Sequence, residues 1–233
     1  MFFDLSILKS SRQDTSRHII LPNQLTEELA EFMGIHYGDG NLYFDGDCGY
    51  RISYSGDLFR DIKYLEHING SFSNLFNLNL HKKDILETNT RILEIYSKTI
   101  YNFMVKFLEI PSGPKIDLRF PTILESKPLF KEAFLRGLFD TDGCFVIQKQ
   151  GKYRYPLVKI SMKSKIFAED INQVFRDLNY NSYVCKKSNP PKDYEVVIRS
   201  KDVHSFFNKI KPNNKRKVGY YNDFIKKYGF MGI

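Results

Sequence analysis

The sequence predicts an α+β protein built from two copies of one unit, and three observations carry that expectation. The stretch FMGIHYGDG (Phe32–Gly40) returns within FLRGLFDTDGCFV (Phe134–Val146). Gly34 pairs with Gly137, Asp39 with Asp142 and Gly40 with Gly143, each 103 positions apart. The same offset relates Ser97-Lys98 to Ser200-Lys201 and Phe103 to Phe206, so the match persists along the unit and marks a tandem duplication. Each copy also shows one order of elements: helix, two strand-like stretches, helix, two strand-like stretches, helix.

In the first copy a helix is expected near 26–38, where Glu27 and Glu28 suit a helix start and Leu29, Phe32 and Met33 recur at helical spacing. It leads into the strand-like NLYFD and YRISYS. A helix around 57–69 follows, then strands around FSNLFNLNL and RILEIYS and a helix from about 98 to 109. In the second copy a helix near 128–141 leads into CFVIQK and YPLVKISM. A helix around 165–178, strands near NSYVCKK and YEVVIRS and a helix from about 202 to 210 complete it. The prolines of PSGPKIDLRFPTILESKP break helix between the copies. The expected division is an extension over 1–24, a first repeat over 25–113, a linker over 114–127, a second repeat over 128–217 and a basic, aromatic, helical tail over 218–233.

With 233 residues, 42% hydrophobic and 15% aromatic, the chain can bury a substantial core. Thirty-five Lys and Arg against 27 Asp and Glu leave a net charge of +8, which favours a polyanionic partner. The excess is uneven. Residues 41–116 carry nine basic and nine acidic side chains, Asp45, Asp47 and Asp57 among them, while 144–219 carry seventeen and six. Cys48, Cys144 and Cys185 form no C-x-x-C pair, so they read as reduced thiols of an intracellular protein. No apolar run reaches membrane-spanning length, and MFFDLSILKSSRQD is too short and polar for a signal peptide, so no membrane partner is expected.

An aspartate at a helix C-terminus adds negative charge to an end that is already negative. Small residues recur every fourth position before it: Ala30, Gly34 and Gly38 in one helix, Ala133, Gly137 and Thr141 in the other. Two such flat faces can pack closely. Packed side by side about a pseudo-two-fold axis, they would bring Asp39 and Asp142 together beside the carbonyls of Gly38 and Thr141. That set of hard oxygen donors suits Mg²⁺. Other chemistries fit poorly. GDGNLY lacks the third glycine of a dinucleotide fingerprint and follows a helix, and neither DTDGCF nor DGDCGY continues into a calcium loop.

At these residues the chain resembles the LAGLIDADG homing endonucleases in their single-chain, two-motif form. The nine motif positions fall on Phe32–Gly40 and Leu135–Gly143, with Tyr37 standing where the motif has its first Asp. The resemblance implies two αββαββα repeats whose antiparallel sheets form a saddle over DNA, with the motif helices at the central interface. It implies a monomer that cuts both strands of a long asymmetric duplex site with a divalent metal, Mg²⁺ or Mn²⁺, leaving short 3′ overhangs. It also implies a basic residue after the last helix of each repeat. Lys115 and Lys217 stand 76 and 75 residues after Asp39 and Asp142, with Lys215 as competitor and Lys163 at the rim. Lys115 could equally be a plain linker residue, and Lys215–Lys217 a solvated run.

Readout of bases is expected from strand residues facing away from the helices: Asn41, Tyr43, Arg51 and Ser53, then Gln148, Gln150, Lys152, Arg154, Lys159 and Ser161. Two alternatives use the same scaffold: an intron maturase with host intron RNA as partner, and a DNA-binding regulator that does not cleave. An intein domain is disfavoured by the opening Met-Phe-Phe and closing Met-Gly-Ile. The Lys-, Asn- and Ile-rich composition fits an archaeal cytoplasm or an organelle.

Overall fold

A computed structural model describes residues 2–44, 46, 49–186 and 194–229. The chain divides into two compact units, Met1–Pro114 with Pro121–Gly137, and Lys115–Phe120 with Leu138–Ile233. The first holds α1 (Arg12–Ser16), α2 (Glu27–Asp39), β1 (Gly40–Phe44), β2 (Tyr50–Asp57), α3 (Ile62–Phe76), β3 (His81–Ile85), β4 (Thr90–Tyr96), α4 (Lys98–Phe107) and most of α5 (Pro128–Asp142). The second holds the end of α5, then β5 (Gly143–Gln150), β6 (Tyr153–Met162), α6 (Lys165–Asp177), β7 (Ser182–Lys186), β8 (Tyr194–Ile198), α7 (Ser200–Ile210) and α8 (Lys215–Tyr228). Each unit contains one four-stranded antiparallel sheet, ordered β1-β2-β4-β3 and β5-β6-β8-β7.

Helix starts follow side-chain capping. Thr26, Ser97, Ser164 and Asn214 each accept a backbone N–H three residues on, which satisfies a donor the helix itself cannot. The core then repeats with the sequence. Ile68 and Phe72 of α3 are fully buried, as are Ile171 and Phe175 of α6, each pair again 103 positions apart. Phe103 packs on Phe76 in one unit and Phe206 on Phe175 in the other, with ring centroids 6.2 Å apart in both cases. Each buried phenylalanine contributes about 2–3 kcal/mol relative to exposure.

Two expectations are corrected. The helix placed over 57–69 is α3, which starts at Ile62 and runs to Phe76, and FSNLFNLNL therefore supplies helix and turn instead of strand. Phe72, Leu75 and Phe76 have helical spacing, and Asn77 stops the helix in a left-handed conformation (φ 55°). The strand lies in the polar HKKDI that follows, where four of five side chains are exposed at a sheet edge and leave no apolar pattern to read.

The N-terminal segment is built into the first unit. Phe2 bridges to Gln24, the Phe3 ring meets Phe103 at 5.6 Å, and the buried Asp14 carboxylate accepts the Thr99 N–H at the start of α4. Among the described residues no helix is long and apolar enough to cross a membrane.

Candidate functional site

Asp39 is the last residue of α2 and Asp142 the last of α5, and each is followed by the glycine that opens a strand. Gly38 and Asp39 are half-buried, while Asp142 keeps an exposed edge. Even so, loss of water pushes the Asp142 carboxyl above the ordinary range, a rise opposed by the positive charges of Lys115 and Lys217. Lys115, half-buried, therefore lies within electrostatic reach of Asp142, and both residues belong to the second unit. Among the described residues no three His, Cys, Asp or Glu side chains form a group that could hold a metal ion.

Of the two candidate lysines on α8, Lys215 is exposed and Lys217 is 6% exposed. The Lys217 ammonium donates to the carbonyls of Phe139 (2.9 Å) and Thr141 (2.7 Å) at the C-terminus of α5. A cation on helix-end carbonyls also offsets the negative end of the dipole. The Thr141 carbonyl, expected to face a metal, thus already holds an ammonium group.

Sequence reasoning missed what fixes that lysine. Asp140, 1% exposed, accepts the backbone N–H of Asn213 (2.7 Å) and of Asn214 (3.0 Å), and its own carbonyl accepts the Asn214 side-chain amide at 3.0 Å. At the matching position of the first motif, Tyr37 donates its hydroxyl to the Glu109 carbonyl (3.2 Å), just past α4, and sets its ring against Phe134. Unlike groups at one motif position make like tethers. The only signal in the sequence was the position itself.

The motif helices also approach closely within the first unit. A Cβ on Gly137 would collide with the Glu31 carbonyl and lie 2.6 Å from the Ile35 nitrogen, so backbone meets backbone there. Beside this contact Glu31 bonds His67 and Arg136, each at 2.9 Å. Burial raises the Glu31 carboxyl, but these partners outweigh it and hold the group below its usual range.

Sheet register sorts the expected readout residues. Asn41 pairs with Ser53 and Tyr43 with Arg51, so these four share the face opposite the inward Leu42, Ile52 and Tyr54. Asn41 and Tyr43 are exposed. Ser53, however, is 7% exposed between Asn41 and Glu94, and Arg51 is held by Glu94 at 2.6 Å. In the second sheet Gln148 pairs with Tyr155 and Gln150 with Tyr153, which puts Gln148, Gln150, Lys159 and Ser161 on one face. Arg154 is on the other face, opposite Lys149, and its guanidinium bonds the carbonyls of Gly151 and Tyr153. Lys152 lies in the turn, its ammonium 5.4 Å from the Tyr153 ring. Gly151 (φ 57°) allows a two-residue reversal that shifts the facing residues from even to odd numbers. Lys159 is paired with Glu195 at 2.9 Å, and Ser161 donates to the same carboxylate at 3.4 Å. Lys163 is exposed at the bend after β6. The carboxylates Glu94 and Glu195 were not anticipated.

Residues 129–211 match the family model described as a LAGLIDADG-like domain. A DNA polymerase of Thermococcus hydrothermalis is 28% identical over 211 residues, covering 83% of this chain and 12% of that protein, so the chain spans about an eighth of the relative's length. Among solved structures, I-DmoI in complex with DNA and Mn superposes with a TM-score of 0.59 at 20% identity, covering 79% of this chain and 96% of that one. The homing endonuclease I-WcaI bound to its DNA recognition sequence gives a TM-score of 0.57 at 17% identity, covering 84% and 88%. The fold shared with these structures is α+β with two four-stranded antiparallel sheets, and over residues 129–211 the chain is similar to the LAGLIDADG-like domain.

Proposed function

We propose that the chain is a site-specific homing endonuclease that makes metal-dependent double-strand breaks, with short 3′ overhangs, in a long asymmetric DNA site. The observation that carries this reading is the duplicated helix end: α2 and α5 each finish in an aspartate at the mouth of a sheet. Duplex DNA has two strands related by two-fold symmetry, and two equivalent acidic sites match it. The DNA and Mn in the I-DmoI complex support the substrate and metal class.

The donor set fits a divalent cation. Asp142 sits at the negative end of a helix, where burial still raises its carboxyl despite two nearby lysines, so the position favours further positive charge. Asp39 and Asp142 would hold Mg²⁺ or Mn²⁺, which when bound supplies Lewis-acid stabilisation of the attacking and leaving oxygens. Lys217, fixed on the Phe139 and Thr141 carbonyls, would place positive charge where a phosphate oxygen becomes more negative. Lys115 adds a second positive charge beside Asp142. Asn41, Tyr43, Gln148 and Gln150, exposed on the outer strand faces, would meet base edges or phosphates.

The test is incubation with a randomised duplex library and Mg²⁺, followed by sequencing of cut ends. Recovery of one long site with staggered ends, lost with chelator and in Asp142→Asn, is the expected result. Absence of any enriched site would sink the reading. The two solved structures named above are bound to DNA, which supports duplex DNA as the partner.

A further inference from the structure

The geometry assigns Asp140 as a positioning residue that sets the Lys217 ammonium at the C-terminal end of α5. This rests on the reading of that helix end as the reacting centre. Asp140 is the other acid of the DTDG turn, so a metal-binding role is the obvious alternative. Its surroundings argue against it. The side chain is 1% exposed, and its two oxygens accept different backbone N–H groups, Oδ2 from Asn213 and Oδ1 from Asn214. Oxygens spent on buried donors are poorly available to a cation.

What those bonds hold is the entry to α8. Asn214 is the N-cap of that helix, its Oδ1 accepting the Lys217 N–H at 3.4 Å while its amide donates to the Asp140 carbonyl. Lys217 comes one turn later, and its ammonium returns to the carbonyls of Phe139 and Thr141, the residues on either side of Asp140. The circuit is closed: α5, Asp140, Asn214, the first turn of α8, Lys217, and back to α5. A four-carbon side chain has many rotamers, and fixing its helix at the origin leaves few that reach the two carbonyls.

The first repeat supplies an independent argument. At the position 103 residues earlier stands Tyr37, which is no carboxylate, yet it bonds the backbone just after the last helix of its own repeat. At both positions the side chain ties the motif helix to the backbone that follows the last helix of its own repeat.

The experiment reads Lys217 directly, without DNA or metal, by trace acetylation with acetic anhydride and mass spectrometry of the full chain. In the unmodified protein Lys217 should react about tenfold more slowly than exposed Lys215. Asp140→Ala should raise the Lys217 rate about tenfold and leave Lys215 unchanged, and Asp140→Asn, which keeps one acceptor oxygen, should fall between. An unchanged Lys217 rate in folded Asp140→Ala overturns the proposal. If circular dichroism shows that variant unfolded, Asn214→Ala decides: a selective rise at Lys217 supports the tether, and no rise overturns it. On a cleavable duplex, Asp140→Ala and Lys217→Met should slow the same strand, and the double variant should be no slower than Lys217→Met alone. Additive losses would give Asp140 a separate role and overturn the proposal. If the unmodified protein cuts no DNA, the endonuclease reading fails while the labelling result still judges the tether.

Discussion

A carboxylate on the last residue of a helix stands at the negative end of the helix dipole, and at Asp142 loss of water adds to that cost. Its carboxyl is raised, so between the ordinary value and the raised one the folded chain binds more protons than the unfolded chain. Stability therefore falls as pH rises through that window and stays lowered above it. Asp142→Asn should accordingly raise the melting temperature at pH 7 in chelator, while Mg²⁺ should stabilise the parent and not the variant. The same substitution should abolish double-strand cutting and leave DNA affinity nearly intact, since the acid opposes phosphate. A variant that melts lower than the parent, or cuts as well, would remove Asp142 from this role. Lys115 gives a second test at this scale. Counting along the chain pairs it with Asp39, yet its charge acts on Asp142. Lys115→Met should slow one strand selectively, so that nicked circles accumulate from supercoiled substrate, and equal slowing of both strands would exclude it from the site. The aspartates are legible in the sequence because duplication repeats them at a fixed offset. Asp140 with Asn214, and Arg51 with Glu94, are not, because each partnership joins residues far apart in the chain and exists only once the chain is folded.

At the level of elements, the amphipathic helices and most strands could be read, the edge strands β1, β5 and β7 among them, and the charged edge strand β3 could not. α6 and α7 carry strong apolar stripes, whereas β3 is charged and exposed, as edge strands are when they resist pairing with other chains. The hairpin between β5 and β6 shows a different limit. Alternation tells which residues share a face within one strand, but only turn length tells which parity continues into the next, and so Arg154 moved to the other face. Helix contact yields two predictions. Gly137→Ala drives a methyl group into the α2 backbone, which cannot yield as a side-chain tip can, and should cost about 2–3 kcal/mol by denaturant unfolding. Unchanged stability would mean that the helices stand further apart. Glu31→Gln should cost about 2 kcal/mol at pH 7, because it breaks a largely buried pair with Arg136. The Glu31 carboxyl is depressed, so its contribution is present above the ordinary carboxylate range and is lost as pH falls through the folded value. The gap between parent and variant should close on acidification, and a gap that persists at low pH would show that the loss is steric.

For the whole molecule, duplication produced two similar frameworks with unequal charge. Residues 41–116 balance nine basic against nine acidic side chains, while 144–219 carry seventeen against six. Phosphate contacts supply most non-specific affinity for DNA, and each one adds about −0.9 to the slope of log affinity against log salt. The second repeat should therefore engage its half-site first and with the steeper salt dependence. On the outer face of the first sheet Glu94 is locked to Arg51, an arrangement that limits which contacts Arg51 can make and favours discrimination over grip. Asp57, grouped with the acids near that face, spends its carboxylate on the N–H groups of Phe59 and Arg60 and closes a turn, while Asp45 and Asp47 lie outside the described residues. The second sheet is not uniformly free to bind either, because Lys159 is engaged by Glu195, and its excess must act largely through other lysines, such as the exposed Lys152 and Lys163. Competition between duplexes that keep only one half-site intact, repeated across a salt series, measures the division. The half-site of the second repeat should bind more tightly at low salt and lose affinity faster as salt rises. Equal affinities and equal slopes for the two half-sites would show that the extra lysines point away from DNA, and that the duplicated halves share the grip evenly.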